Sequence, residues 1–194
     1  MKPTRFETAI ALIDIKNAED PNTYQVAGIA YSKELLYSQR MSRKLLQFDP
    51  NASKALQIAV RAHHICRWKI GRKEYPMDRV GYLKWREELK KMHANITGEI
   101  LEQVGFDAQF INRVQKIILK RLIKKNEESQ ALEDIICLVF LDYYYDEFAA
   151  KHTDEKIIDI LKKTWVKMSD KGHEAALKIS FSEKGMALVK QAIS

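Results

Sequence analysis

A chain of 194 residues with 46% hydrophobic and 30% charged residues has the balance of a globular protein, which excludes a disordered or membrane-spanning chain. This length suits one core, so we expect a single helical domain over residues 1–194. Lys and Arg number 33 against 26 Asp and Glu, and the net charge of +7 favours anionic partners. It does not choose among nucleotides, RNA, acidic proteins and phosphorylated metabolites.

No apolar run approaches the roughly 18 residues that cross a bilayer, and the start of the chain lacks a secretory apolar stretch. We therefore expect a cytoplasmic protein with no membrane partner. Cys66 and Cys137 lie within apolar helical patterns and have no CxxC or Cys/His spacing around them. This context predicts buried free thiols.

Apolar residues recur at spacings of three and four through most of the chain, which predicts an all-α, compact multi-helix bundle in which no sheet forms. A turn is expected at 18–22 and a loop at Gly28–Ser32, and Gly105 is expected to end a long helix. In chain order, the predicted helices are Arg5–Asn17, Lys33–Phe48, Ser53–Lys69, Val80–Val104, Asp107–Lys125, Glu127–Ala150, Asp154–Ser169, Asp170–Lys178 and Ser182–Ala192.

Two histidines fall on inward helix faces. His64 shares a face with Arg67 in the predicted third helix, and His93 lies on the stripe of Leu89 and Ile100. A single histidine of this kind is commonly a core-edge residue bonded to a carbonyl. Two of them on inward faces point towards a site.

Two carboxylates, Glu133 and Asp134, interrupt the apolar run 132–141. At least one must face protein, where an unpaired charge costs several kcal/mol. Arginine, a protonated histidine or a divalent cation can compensate it, and imidazole with carboxylate suits Mn, Fe, Zn or Ni. The alternative is a buried arginine–carboxylate network, for example with Arg67, that holds helices together.

Arginines and aromatic residues alternate between the third and fourth predicted helices, across an irregular segment at Gly71–Arg79. Guanidinium groups match phosphate oxygens, and aromatic faces stack on a base or hold an arginine in place. The alternative is a solvated basic surface with aromatics buried for packing. The residues concerned are Arg61, Arg67, Arg72, Arg79 and Arg86, with Trp68, Tyr75, Tyr82 and Trp85.

Lys163 and Lys167 are four residues apart, and His173 follows them. These side chains can bind a phosphate. Lysines near a helix C-terminus also interact favourably with the helix dipole, so a structural role is the alternative.

Several stretches closely resemble the family described as domain of unknown function 4202, over nearly the whole chain. The resemblance implies no particular reaction. The residues that carry it are His63–Trp68, Arg72, Tyr75–Pro76, Arg79–Arg86, Leu132–Asp134, Cys137–Leu141, Lys163–Trp165 and Lys167–Ser169.

A more distant resemblance is to the HD-domain phosphohydrolases, through His64 with Arg67, His93 ahead of 100–101, and Asp134. It implies an HD-domain-like helical fold that binds a divalent metal and hydrolyses phosphate esters. The chain departs from the pattern because no His-Asp pair precedes His93, where Trp85 and Arg86 stand. Arginine in place of an acidic ligand favours an anion bound directly by protein.

The leading hypothesis is therefore an HD-like domain that binds, and in one version hydrolyses, a phosphorylated small molecule or nucleotide. In the hydrolytic version His64, His93 and Asp134 hold Mn, Fe, Ni or Zn, and Glu133 assists as a base or as a partner in the outer shell of the metal. The phosphate-binding residues would be Arg67, Arg72, Arg79, Arg86, Lys163 and Lys167. The alternatives are a non-catalytic nucleotide- or RNA-binding module and a helical protein-interaction scaffold.

Overall fold

The computed structural model describes residues 2–121 and 123–193, with the side chain of residue 124 excluded, and it divides into two compact units. Unit 1 covers residues up to Arg121 and unit 2 begins after it. Both units are predominantly helical, which confirms the all-α class. Single-domain organisation stays a prediction.

Unit 1 contains five α-helices among its described residues, and α1, α2, α3 and α5 surround a core that includes Ile13, Met41 and Ile58. α4 packs on α1 and α5. The elements are α1 (Arg5–Ala18), β1 (Thr23–Val26), β2 (Ile29–Ser32), α2 (Lys33–Phe48), α3 (Lys54–Arg61), α4 (Arg79–Gln103) and α5 (Ala108–Ile118), with 3₁₀ turns at Arg67–Lys69 and Arg72–Glu74.

The expectation that no sheet forms, with a loop at Gly28–Ser32, is wrong. β1 and β2 form an antiparallel hairpin in which Thr23 pairs with Ser32 and Val26 with Ile29. The turn residues Ala27 and Gly28 have φ of 48° and 81°. Positive φ at both positions of a two-residue turn gives the twist that joins antiparallel strands, and Ala-Gly is a weaker signal of it than Asn-Gly.

The predicted third helix, Ser53–Lys69, is too long at its C-terminal end. α3 ends at Arg61, and Cys66 takes a left-handed conformation with φ of 55°. The backbone N–H of Cys66 donates to the side-chain oxygen of Asn17, 3.3 Å away on α1. A tertiary contact therefore overrides the helical pattern here.

The predicted end of α4 near Gly105 is confirmed, since Gly105 has φ of 85° and the amide of Phe106 donates to the carbonyl of Leu101. α5 begins after the predicted cap Asp107, which accepts from the amide of Phe110. It ends at Ile118 and not near residue 125, because the chain turns through a left-handed Lys120 with φ of 53°.

Unit 2 packs α8 against α10 and α6 against α9, around a core that includes Leu132, Ile135 and Leu138. The predicted helix Glu127–Ala150 is broken at Tyr144, whose backbone leaves the helical region, and the predicted helix Asp154–Ser169 ends at Trp165. The elements are a 3₁₀ turn at Ile123–Lys125, then α6 (Glu127–Tyr143), α7 (Tyr145–Ala149), α8 (Asp154–Trp165), α9 (Asp170–Ala176) and α10 (Glu183–Ile193).

Both cysteines, Cys66 and Cys137, are buried thiols outside any disulfide, as predicted. Among the described residues, no helix combines the length and apolar character that crossing a bilayer requires.

Candidate functional site

The turn that follows α3 brings imidazole and guanidinium groups together in unit 1. The ring of His64 stacks on Tyr37 of α2, with centroids 4.4 Å apart, and on the neighbouring His63, also at 4.4 Å. The ring of His93, from α4, lies 5.9 Å from that of His64. We call His63, His64, Arg67 and His93 the histidine–arginine cluster.

Contacts on both ring nitrogens define the tautomer of His64. Nη1 of Arg67 lies 3.4 Å from Nε2 of His64, and a guanidinium can only donate. Nε2 is therefore an acceptor, which places the proton on Nδ1. Nδ1 lies 3.3 Å from Oε2 of Glu34, and Nε of Arg67 lies 4.0 Å from the other carboxylate oxygen. Glu34, His64 and Arg67 thus form a connected polar group.

His93 has one partnered nitrogen and one without a partner. Its Nδ1 lies 2.6 Å from the backbone carbonyl oxygen of Ile65. Since a carbonyl accepts, Nδ1 carries a proton that it donates, and Nε2 of the neutral ring presents a lone pair. Nε2 is buried and has no hydrogen-bond partner among the described residues. Nδ1 of His63 is likewise buried and has no hydrogen-bond partner among the described residues.

Burial keeps these histidines neutral. It lowers the pKa of His93 to about 3, helped by the positive charge of Arg67 and opposed by the bond to Ile65. The pKa values of His63 and His64 are held well below the ordinary range, first by burial and then by neighbouring positive charges. The imidazoles therefore act as neutral ligands or hydrogen-bonding groups at physiological pH.

Glu34 responds to burial in the opposite direction. Burial raises the pKa of its carboxyl to about 7, against the opposing attraction of Arg67. Near neutral pH, Glu34 is therefore charged in only part of the molecules. The guanidinium of Arg67 is a permanent charge that Glu34 balances only partly.

Aromatic rings hold the arginines of this region. The Arg67 guanidinium carbon lies 4.7 Å from the Trp85 ring centroid, and Trp85 is oriented by donating from Nε1 to the carbonyl of Ile70. Arg86 lies over Tyr82 at 5.7 Å. The interleaved aromatics contact arginines, which is one of the two roles considered from the sequence.

Arg72 and Arg61 have structural partners. Arg72 donates to the carbonyls of Tyr75 and Asp78 at 3.0 and 3.2 Å, and so fixes the irregular segment. Arg61 makes a two-point contact with Asp14 on α1. Arg79 is the exposed first residue of α4. Of the predicted phosphate-binding arginines, Arg67 is the one within the cluster.

Three residues of this site were missed from the sequence, namely Glu34, Tyr37 and His63. A signal for Glu34 was present. Glu34 and Ser38 continue the buried stripe of Met41 and Leu45 along α2, so a carboxylate had to face the interior. In the sequence, His63 was noted only as part of a family motif, whereas in the structure it lies beside His64 in the turn after α3.

Unit 2 contains the two predicted site carboxylates, Glu133 and Asp134. Both carboxylate oxygens of Asp134 accept hydrogen bonds within this unit. Its Oδ1 accepts from the Ser169 amide at 2.8 Å and from Nε2 of Gln130 at 3.2 Å, and its Oδ2 accepts from Oγ of Ser169 at 2.6 Å. Ser169 caps α9. A Cβ added at Gly172 would lie 2.6 Å from Oδ1, so glycine is needed for this contact. Glu133 is also buried.

Lys163 and Lys167 are exposed in unit 2. Lys163 is in the last turn of α8 and pairs with Asp159 at 2.6 Å, which fits the structural alternative. His173 stacks on Trp165 with centroids 4.1 Å apart and bonds to its carbonyl oxygen. Phosphate binding by these lysines stays a prediction.

Across the described ranges, no group of three or more His, Cys, Asp or Glu side chains is arranged to hold a metal ion. Metal binding by His64, His93 and Asp134 therefore stays a prediction.

The fold and the site define a class: a helical protein with a buried cluster of neutral histidines beside a partly balanced arginine. The family model for the Domain of unknown function (DUF4202) matches residues 7–189, and the chain belongs to this family. No match was found among curated proteins or among solved structures.

Proposed function

We propose that the protein binds a phosphorylated small molecule or a nucleotide at the histidine–arginine cluster of unit 1. The observation that carries the proposal is the charge of Arg67. Among the described residues, its carboxylate partner is Glu34, at 4.0 Å, and burial raises the pKa of that carboxyl to about 7. A bound anion would complete the balance of charge.

The surroundings of Arg67 suit a phosphate. The plane of Trp85 holds the guanidinium in place, so less side-chain entropy is lost on binding. The side chains of His64 and Arg67 are 22% and 29% exposed, so a ligand can reach these two side chains from solvent. Arg86 is half-buried above Tyr82 and adds positive charge nearby.

Isothermal titration calorimetry with nucleoside mono-, di- and triphosphates and simple phosphate esters tests this proposal. Replacing Arg67 by Gln should weaken binding roughly ten- to a hundredfold, because one charge-assisted hydrogen bond contributes about 1.5–3 kcal/mol. Arg43→Gln is the matched control, since Arg43 is an exposed arginine on α2 outside the cluster. Equal affinities of the Arg67 variant and the unmodified protein would contradict the proposal.

The hydrolytic form of the proposal adds an HD-like architecture and a divalent metal. The order of His64, Arg67 and His93 in a helical chain supports it, and Mn, Fe, Ni or Zn would activate water with Glu133 assisting. Asp134 already accepts three hydrogen bonds within unit 2, which favours binding without hydrolysis. Elemental analysis of untagged protein and of His64→Ala, His93→Ala and Asp134→Ala decides, since a bound metal should disappear in these variants.

RNA is the alternative partner, and exposed Lys69, Lys73, Arg79 and Lys84 favour it. Binding to many phosphates weakens steeply with salt, with a slope of about −0.7 per contacted phosphate of a single strand. A small ligand in the cluster should show a shallow dependence. Titration of a single-stranded RNA at rising salt separates the two.

A further inference from the structure

The ring nitrogens of His64 and His93 differ in whether they have hydrogen-bond partners. Beside His64, Arg67 donates to Nε2, and Nδ1 lies 3.3 Å from Oε2 of Glu34, a buried oxygen that makes no hydrogen bond among the described residues. His93 differs because its Nδ1–H is committed to the carbonyl of Ile65. Its Nε2 can therefore only accept, and none of the described residues donates to it.

Burial makes this unmet acceptor informative. His93 is 2% exposed, so bulk water does not compensate the lone pair. An unsatisfied buried polar atom costs about 1–3 kcal/mol, which a ligand with a hydrogen-bond donor would recover. Nδ1 of His63 is a second buried nitrogen without a partner in the described part of the chain. The cluster thus offers donors from Arg67 and an acceptor from His93.

We infer that the site takes a phosphoryl group that keeps an acidic hydroxyl, with its P–OH donating to Nε2 of His93 while Arg67 donates to another oxygen of the same group. This inference rests on the proposed function and narrows its substrate class. Inorganic phosphate and the terminal phosphate of a monoester, in its singly protonated form, carry such a hydroxyl. A phosphodiester, including the internal phosphates of RNA, does not.

Sulfate is the sharpest probe of this inference. It has nearly the size and shape of phosphate and at neutral pH a charge at least as large, so attraction to Arg67 alone would favour sulfate or leave the two equal. Sulfate carries no proton, however, and cannot donate to an imidazole. A preference for phosphate over sulfate therefore reports the donated hydrogen bond.

The ratio of the two dissociation constants limits the effects of other ionisable groups, because these groups act on both anions. Those that act on the cluster are Glu34 from α2, Arg86 from α4 and Lys120 after α5, together with the cluster's own side chains. Changes in their charge alter the attraction for both anions. The ratio of dissociation constants isolates the difference that the proton makes.

The experiment is calorimetric titration of the full chain with inorganic phosphate and with sulfate at one pH and constant ionic strength. We expect phosphate to bind at least about tenfold more tightly, because the unpaired acceptor is left behind when sulfate binds. Equal affinities would overturn the inference and leave the proposed anion site standing. If neither anion binds, and phosphate esters do not bind either, the proposed function fails with it.

A variant assigns the preference to His93. Asparagine can present an N–H near the position of Nδ1 but has no atom equivalent to Nε2, so His93→Asn should bring the phosphate-to-sulfate ratio close to one while sulfate still binds. His152→Asn, the same substitution in unit 2, should leave the ratio unchanged. A ratio in His93→Asn that equals that of the unmodified protein would overturn the role of Nε2. The ratio in the unmodified protein decides even if this variant does not fold.

A third arm separates free phosphate from an esterified one. Phenyl phosphate is titrated beside inorganic phosphate near pH 6, where a monoester retains much of its hydroxyl proton because its second pKa is about 6. Tighter binding of the ester assigns the site to phosphate monoesters, and tighter binding of inorganic phosphate assigns it to the free anion. Both results support the inference, provided that sulfate binds more weakly.

Discussion

His93 in unit 1 and Asp134 in unit 2 are both buried polar residues on helices, but they differ in how many of their polar atoms are hydrogen-bonded. Asp134 accepts three hydrogen bonds, and both of its oxygens are engaged. His93 has one nitrogen bonded to a carbonyl and the other unpaired among the described residues. A satisfied polar group stabilises the fold, whereas an unsatisfied one at a partly exposed cluster agrees with the ligand site that we propose.

The largest expected effect tests the structural side of this comparison. Replacing Asp134 by Ala leaves the amide and hydroxyl of Ser169 without their acceptor and removes one of the two acceptors of Nε2 of Gln130, which also donates to the carbonyl of Lys167. We expect the free energy of unfolding to fall by about 3 kcal/mol, measured by urea denaturation. The control is Asp159→Ala, which removes an exposed pair with Lys163 and should cost less than about 1 kcal/mol. A similarly small loss for the Asp134 variant would mean that its network contributes little.

The second prediction tests the neutral state of the histidines. Burial lowers the pKa of His93 to about 3, so below about pH 6.5 the unfolded chain binds a proton that the folded chain does not. This contribution to stability is present above pH 6.5 and is lost as pH falls towards 3. The slope is about 1.4 kcal/mol per pH unit, and His93→Gln should remove it between about pH 4 and 6.

Urea denaturation at a series of pH values measures this slope, and His152→Gln is the control outside the cluster. The variant must flatten the acid side of the profile relative to that control. An unchanged slope would show that the His93 ring is protonated in the folded protein, and an acceptor at Nε2 would then not exist.

The comparison also shows what the sequence can reveal. The bounds of α2 were predicted correctly as Lys33–Phe48, because its apolar period and its flanks agree. The end of α3 was not, since the left-handed Cys66 depends on Asn17, which is 49 residues away in the chain. The local sequence pattern predicts structure that local interactions determine. It does not predict a contact between residues as far apart in the chain as Asn17 and Cys66.

The candidate site was predicted unevenly for the same reason. His64, Arg67 and His93 were singled out by residue type and spacing, and unit 1 brings them together. That Glu34 is a buried carboxylate could be predicted from its position on the inward face of α2. The unpaired nitrogen of His93 could not, because it depends on the carbonyl of Ile65 occupying the other nitrogen.

The third prediction concerns Glu34, whose carboxyl pKa burial raises to about 7. Above that pH the carboxylate is charged and competes with an anionic ligand for Arg67, so sulfate affinity should fall as pH rises through 7. Glu34→Gln should abolish this decline and bind sulfate about tenfold more tightly than the unmodified protein at high pH, equivalent to one pKa unit of interaction. Below about pH 6 the two proteins should agree, since the carboxyl is then mostly protonated.

Calorimetry between those limits tests the effect, with Glu88→Gln as the control because Glu88 is exposed and pairs with Lys91. A decline with pH that persists in the Glu34 variant would mean that another group titrates against the ligand.

The smallest expected effect distinguishes Arg72 from Arg67, which were both predicted from the sequence to bind phosphate. Arg72 donates to the carbonyls of Tyr75 and Asp78, so Arg72→Gln should lower the free energy of unfolding by about 1 kcal/mol. Its phosphate affinity should change less than about threefold, as for a substitution outside the site. Calorimetry and urea denaturation of this variant beside Arg67→Gln make the test. If Arg72→Gln instead loses as much affinity as Arg67→Gln, Arg72 leaves the loop carbonyls to bind the ligand, and the irregular segment is part of the binding site, as the sequence predicted.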